Sequence, residues 1–89
     1  MDVESETYEV YALRSLKDGK RYIGITVNSD SRLASHNWGR TRSTKARRPF
    51  VLVHVEIAKN RLEARNREKY LKSAAGRRFL DDLEANGLK

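Results

Sequence analysis

The chain has 89 residues, no cysteine, and 19 Lys and Arg against 12 Asp and Glu, for a formal net charge of +7. That length accommodates one small domain with one core, and the lack of cysteine excludes disulfides, thiolate metal centres and a cysteine nucleophile. The positive excess favours a polyanionic partner, because each cation that displaces condensed counterions from a phosphate adds affinity, and no apolar run approaches the ~20 residues that span a bilayer.

The N-terminal residues are acidic and lack an apolar run, unlike a signal or transit peptide. The expected organisation is a disordered tail over 1–6, one domain over 7–85 and a short tail over 86–89, in a soluble protein of the cytoplasm. Residues 8–14 and 21–27 are rich in aromatic and β-branched side chains and flank Asp18-Gly19, which predicts strand, turn, strand. If Asp18-Gly19 is the turn, facing residues have numbers that sum to 37, and Tyr11, Tyr22 and Gly24 share one face. Val10, Ala12, Ile23 and Ile25 then form a plain apolar face. The missing side chain of Gly24 leaves space beside two phenols.

Asn28 to Ser31 offers several N-caps and Gly39 a C-terminal stop, so a short helix is expected over Arg32 to Trp38. Arg32 and His36, four residues apart, stack on one face. Two like charges there would repel, which favours neutral His36, able to accept a proton. Residues 40–48 hold five cations, Arg40, Arg42, Lys45, Arg47 and Arg48, with interleaved hydroxyls and no acid. This is a loop composition suited to phosphate oxygens.

Phe50 to Ile57 is nearly continuously apolar and reads as a well-buried third strand, with Phe50, Leu52, His54 and Glu56 on one side. A second helix is expected from Asn60, with Glu63 in the capping-box position, to about Ala75 before Gly76. Ala64, Leu71 and Ala75 make its apolar stripe and Glu68 lies beside it. A carboxylate there must meet a cation, a donor or a metal. A terminal helix over 77–88, anchored by Phe79, Leu80 and Leu83, completes the chain.

Val10-Tyr11, then Tyr22-Ile23-Gly24, then Arg32, His36 and the helix with Glu68 resemble, in order and spacing, the GIY-YIG nuclease family, and Arg47-Arg48-Pro49 resembles a segment of its small stand-alone members. The resemblance implies an α+β fold, β-β-α-β-α-α, with a three-stranded antiparallel sheet flanked by helices. It also implies phosphodiester cleavage with Tyr11, Tyr22, Arg32, His36 and Glu68 as the site. In that reading Glu68 holds Mg²⁺ or Mn²⁺, Arg32 holds the phosphate, Tyr11 takes a proton from water beside Tyr22, and His36 receives it. The expected activity is structure-selective cleavage, with DNA favoured over RNA and a protein partner for targeting left open. The alternative is a non-catalytic nucleic-acid-binding module on the same scaffold. One departure stands out. Glu9 occupies the usual glycine position of the first motif, with its side chain expected on the face opposite Tyr11.

Overall fold

The computed structural model describes residues 7–87, so the expected tail over 1–6 lies outside the described residues. The elements are β1 (Tyr8–Ser15), β2 (Arg21–Thr26), α1 (Ser29–Asn37), β3 (Phe50–Ala58), α2 (Arg61–Lys72) and α3 (Ala74–Gly87), with a 3₁₀ turn at Lys45–Arg47. The order is the expected β-β-α-β-α-α. All three strands are antiparallel in one sheet, ordered β2-β1-β3. Among the described residues no helix is long and apolar enough to cross a membrane.

The β1–β2 hairpin forms as expected, but its turn is longer. Facing numbers sum to 35, as in Tyr11 opposite Gly24. Ser15 N donates to Lys20 O and encloses a loop of Leu16, Lys17, Asp18 and Gly19. Only Gly19 in that loop has positive φ, at 75°, whereas a two-residue type I′ turn would need Asp18 there as well. Ser15 Oγ instead accepts from the amides of Lys17 and Asp18. The shift is two residues, so the faces survive it.

β1 is the central strand, and its side chains divide two cores. Val10 and Ala12 pack with Ile23, Ala58, Ala64, Leu71 and Leu80 beneath α2 and α3. Tyr11 and Leu13 pack with Phe50, and with half-buried Tyr22, Leu33, Leu52 and Val55, on the other face. β3 corrects the expectation of a well-buried strand with strict alternation. It is an edge strand, buried only at Phe50 and Ala58, and a register shift lets Leu13 face Leu52 while Ala12 faces His54. That bulge sends Phe50 and Leu52 to the Tyr11 face and His54 and Glu56 to the α2 face.

Asn28 caps α1, accepting from Ser31 N at 3.0 Å. Its C-terminus is a Schellman motif: Gly39 N donates to His36 O and Arg40 N to Ser35 O, with Gly39 at φ 80°. Asn60 caps α2, accepting from Glu63 N, while Glu63 accepts from Lys59 N. α2 ends at Lys72, earlier than expected. Ser73 breaks it by accepting from Gly76 N and donating to Tyr70 O, so it starts α3. Gly76 is thus no helix stop: a Cβ there would strike the backbone of Tyr70 and Leu71, and glycine permits the tight turn between the helices. α3 runs from Ala74 to Gly87, starting three residues before the expected 77. Glu84 fastens it to the hairpin through Arg14 (3.1 Å) and Arg21 (2.6 Å).

Candidate active site

β1, β2 and α1 bring four of the five expected site residues together on the Tyr11 face. Tyr11, Tyr22 and His36 form a ring cluster, with centroids 6.2 Å apart for the two tyrosines and 4.7 Å for Tyr22 and His36. Tyr11 can lie flat because Gly24 faces it: a Cβ at that position would sit 2.6 Å from the phenol oxygen. The space expected at Gly24 is therefore filled by the Tyr11 ring. Tyr11 and His36 are both fully buried, at 1% and 0% exposure, and Arg32 is half-buried one helical turn before His36.

Tyr11 Oη lies 3.3 Å from His36 Nε2, and His36 Nδ1 lies 2.8 Å from Thr44 Oγ1. Thr44 Oγ1 also donates its one proton to Thr41 O. It must then accept from Nδ1–H, which leaves Nε2 bare to accept the Tyr11 hydroxyl proton. The network thus assigns neutral His36 in the Nδ1–H tautomer. Burial, and secondarily the Arg32 charge, hold the imidazole below its ordinary pKa. Burial thus adds to the Arg32 repulsion expected from the spacing of the two residues. Burial also pushes the Tyr11 phenol above its ordinary value, with Arg32 pulling it back. A free Tyr11 phenolate is therefore disfavoured, and the phenol keeps its proton in a hydrogen bond to His36 Nε2.

Thr44 is the member of this chain of contacts that sequence reading missed. It sits in the 40–48 stretch, where hydroxyls looked like phosphate donors, yet it is fully buried. That stretch is no open loop. Ser15 Oγ donates to Arg47 O, Lys17 Nζ to Ala46 O and Leu16 N to Pro49 O. Its five cations separate accordingly. Arg40, Arg42, Lys45 and Arg48 are exposed, while Arg47 binds Asp18 at 3.0 Å and lies over the Phe50 ring.

Glu68 stands apart. It is on α2, which packs on the other face of the sheet, and its carboxylate meets Lys72 at 3.1 Å and Arg65 at 3.9 Å. Among the described residues no hydrogen bond or ion pair joins it to Tyr11, Tyr22, Arg32 or His36, and no cluster of three acidic or histidine ligands exists. A second acid, Glu56, is gripped by Arg67 and by His54 at 2.7 Å, ties β3 to α2 and is not free for chemistry. A recess of about 740 Å³ lies between the hairpin end and the helices, lined by Lys20, Arg21, Ile23, Lys72 and Arg77. The buried phenol–imidazole contacts lie elsewhere, so cavity size is a poor guide to the chemistry of this fold.

The sequence model of the GIY-YIG catalytic domain matches residues 7–79. This chain belongs to the GIY-YIG family. It is 39% identical to a UPF0213 protein of Staphylococcus haemolyticus over 76% of this chain and 84% of that one. It is 35% identical to a UPF0213 protein of Clostridium perfringens over 90% and 86%. The solution structure of a UPF0213 protein from Bacillus halodurans shares the fold, with a TM-score of 0.54 and 31% identity over 90% of this chain and 87% of that one. The chain therefore carries the catalytic domain of a nuclease family and is similar over most of its length to UPF0213 proteins.

The GIY-YIG motifs can now be read as geometry. Val10-Tyr11 and Tyr22-Ile23-Gly24 are the facing strands of the hairpin, each contributing a phenol to one face and an aliphatic side chain to the other. Glu9, where the first motif usually has glycine, corrects the expected orientation. Residues two apart on a strand share a face, so Glu9 lies on the Tyr11 side, and its Oε1 accepts from Ser29 N at 2.7 Å. A carboxylate is stabilised at a helix N-terminus, where unpaired amides and the dipole are positive. Glu9 is thus spent as a second cap on α1.

Proposed function

We propose that this protein is a divalent-metal-dependent endonuclease that hydrolyses nucleic-acid phosphodiester bonds at the Tyr11 face, with branched or otherwise irregular DNA as its preferred substrate. The observation that carries the reading is the Tyr11–His36–Thr44 hydrogen-bond chain, in which a buried neutral imidazole is oriented to take a proton from a phenol. A pure binding module has no use for a proton path buried in its core.

In this reading the attacking water gives its proton to Tyr11 Oη as the Tyr11 proton passes to His36 Nε2. The phenol stays neutral throughout, which suits its raised pKa. Arg32, at the rim, holds the scissile phosphate and neutralises charge on its non-bridging oxygens. Tyr22 positions the phosphate or the water from the neighbouring strand. Glu68 is the residue that would hold Mg²⁺ or Mn²⁺, on α2 across the sheet from Tyr11 and without a contact to it, so the two would have to meet on the substrate phosphate. A single carboxylate suits a cation that keeps most of its waters and takes its other ligands from substrate phosphate, and both present partners of Glu68 are exposed side chains that can yield it. When bound there, the ion supplies charge neutralisation and a more acidic water. The exposed cations Arg40, Arg42, Lys45 and Arg48 grip flanking phosphates without reading sequence.

The test is nuclease activity on flap, branched, duplex and single-stranded substrates, with and without Mg²⁺, for wild type, Glu68→Ala and Tyr11→Phe. Metal-dependent cutting by wild type, lost in both variants, is expected. Failure of wild type to cut any substrate sinks the catalytic claim, and full activity of both variants sinks the site assignment.

A further inference from the structure

Trp38 is the only tryptophan of the chain and, at 74%, the most exposed large hydrophobic side chain among the described residues. It is not exposed because its segment is loose. Its amide donates to Ala34 O and its neighbours form the Schellman motif that ends α1. The preceding Asn37 makes two hydrogen bonds to the Phe50 backbone, at 2.7 and 3.1 Å. A rigid backbone thus presents a bare indole to solvent, on the helix that carries Arg32 and His36.

The surroundings of Trp38 are cationic. A Cβ on the adjoining Gly39 would meet Arg48 Nη1 and Lys45 Cγ, so those side chains close around the residue next to it, and Arg40 follows. No Asp or Glu occurs between Asp30 and Glu56. A flat exposed aromatic surface with cations packed around the adjoining residue suits a ligand that offers a planar ring and an anion at each step. An unpaired nucleotide does so, whereas the bases of a continuous duplex are already stacked and hidden. A membrane would be expected to meet several apolar side chains at this end of α1, and here there is one.

Resting on the nuclease reading above, we infer that Trp38 is a stacking platform for an unpaired nucleobase at the C-terminal end of α1, and that it gives this protein a preference for single-stranded or branched nucleic acid over continuous duplex. Because the chain has one tryptophan, emission excited at the red edge, where its four tyrosines scarcely absorb, reports on this residue alone.

The experiment titrates the metal-free protein in EDTA with a labelled oligonucleotide, as single strand and as duplex, following label anisotropy and tryptophan emission together. The single strand quenches Trp38 in step with binding. Trp38→Ala weakens single-strand binding about 5- to 100-fold, the range of one lost base–aromatic stack, and leaves duplex binding nearly unchanged. Trp38→Phe recovers most of the loss, and Ile57→Ala, an exposed apolar residue on β3, changes nothing. If the single strand binds while Trp38 emission and Trp38→Ala affinity stay unaltered, the inference is overturned and the nuclease reading stands. Quenching by anionic vesicles but not by the oligonucleotide overturns it in favour of a membrane surface. If wild type binds neither strand nor duplex, the nuclease reading fails and takes the inference with it.

Discussion

The two faces of strand β1 make opposite uses of the same backbone. Its even-numbered residues Val10 and Ala12 enter an aliphatic core closed by Ala64, Leu71 and Leu80 of the helices. Its odd-numbered residues Glu9 and Tyr11 are hydrogen-bonded, to the first amide of α1 and to His36. One face derives its stability from apolar burial, roughly 1.5–3 kcal/mol per large aliphatic side chain. The other packs Leu13 against Phe50 and also holds polar groups out of water, each of which must be satisfied or it costs free energy. A sheet with helices on both faces lets one face be optimised for stability and the other for chemistry.

Substitutions on each face should fail differently. The largest effect expected is on turnover: Tyr11→Phe removes the hydroxyl proposed to link water to His36 and should lower cleavage by about 10²-fold or more, the usual scale of a lost acid–base group, with the fold intact by circular dichroism. Leu71→Ala, on the other face, should cost about 2–5 kcal/mol in urea unfolding. Gly24→Ala should cross the divide. Its Cβ displaces the Tyr11 phenol, and since that oxygen is the group bonded to His36, both activity (about 10-fold) and stability (about 1–3 kcal/mol) should fall. If Gly24→Ala is silent, the Tyr11 ring is not confined as described.

The smallest effect is the pH dependence. His36 has a folded pKa below its ordinary value of about 6.5. Such a group stabilises the fold fully above its unfolded pKa, and that contribution is lost as pH falls from there through the folded value. Stability should therefore decline modestly on acidification below about 6.5, and the acid limb of a pH–rate profile should titrate below that value. His36→Gln should flatten the stability change in this window. An acid limb above the ordinary histidine value would contradict the burial of His36 as a neutral imidazole.

Much of this arrangement was legible in the sequence. The hairpin faces followed from strand parity, which is why a turn two residues longer than expected left Tyr11, Tyr22 and Gly24 together. The caps at Asn28, Gly39 and Asn60 followed from local backbone chemistry. What was not legible depends on contacts between distant segments. The bulge in β3 arises from pairing with β1, and nothing in the apolar run from Phe50 marks where it falls. Thr44 is one of several hydroxyls in a basic stretch, and only the folded chain selects it for His36. Gly76 resembled a helix stop because glycine serves both to end helices and to admit close backbones. Glu9 was misplaced where the parity rule sufficed, since residues 9 and 11 must share a face.

The most direct measurement is turnover per folded molecule for Tyr11→Phe and Leu71→Ala on one branched DNA substrate in Mg²⁺, below the melting temperature of the weaker variant. The account predicts that Tyr11→Phe loses about 10²-fold or more in turnover, with a stability cost of only about 1–3 kcal/mol from the buried His36 nitrogen it leaves unpaired, while Leu71→Ala melts earlier and turns over within a few-fold of wild type. Equal losses in both, or undiminished cleavage by Tyr11→Phe, would contradict the assignment of the chemistry to the Tyr11 face.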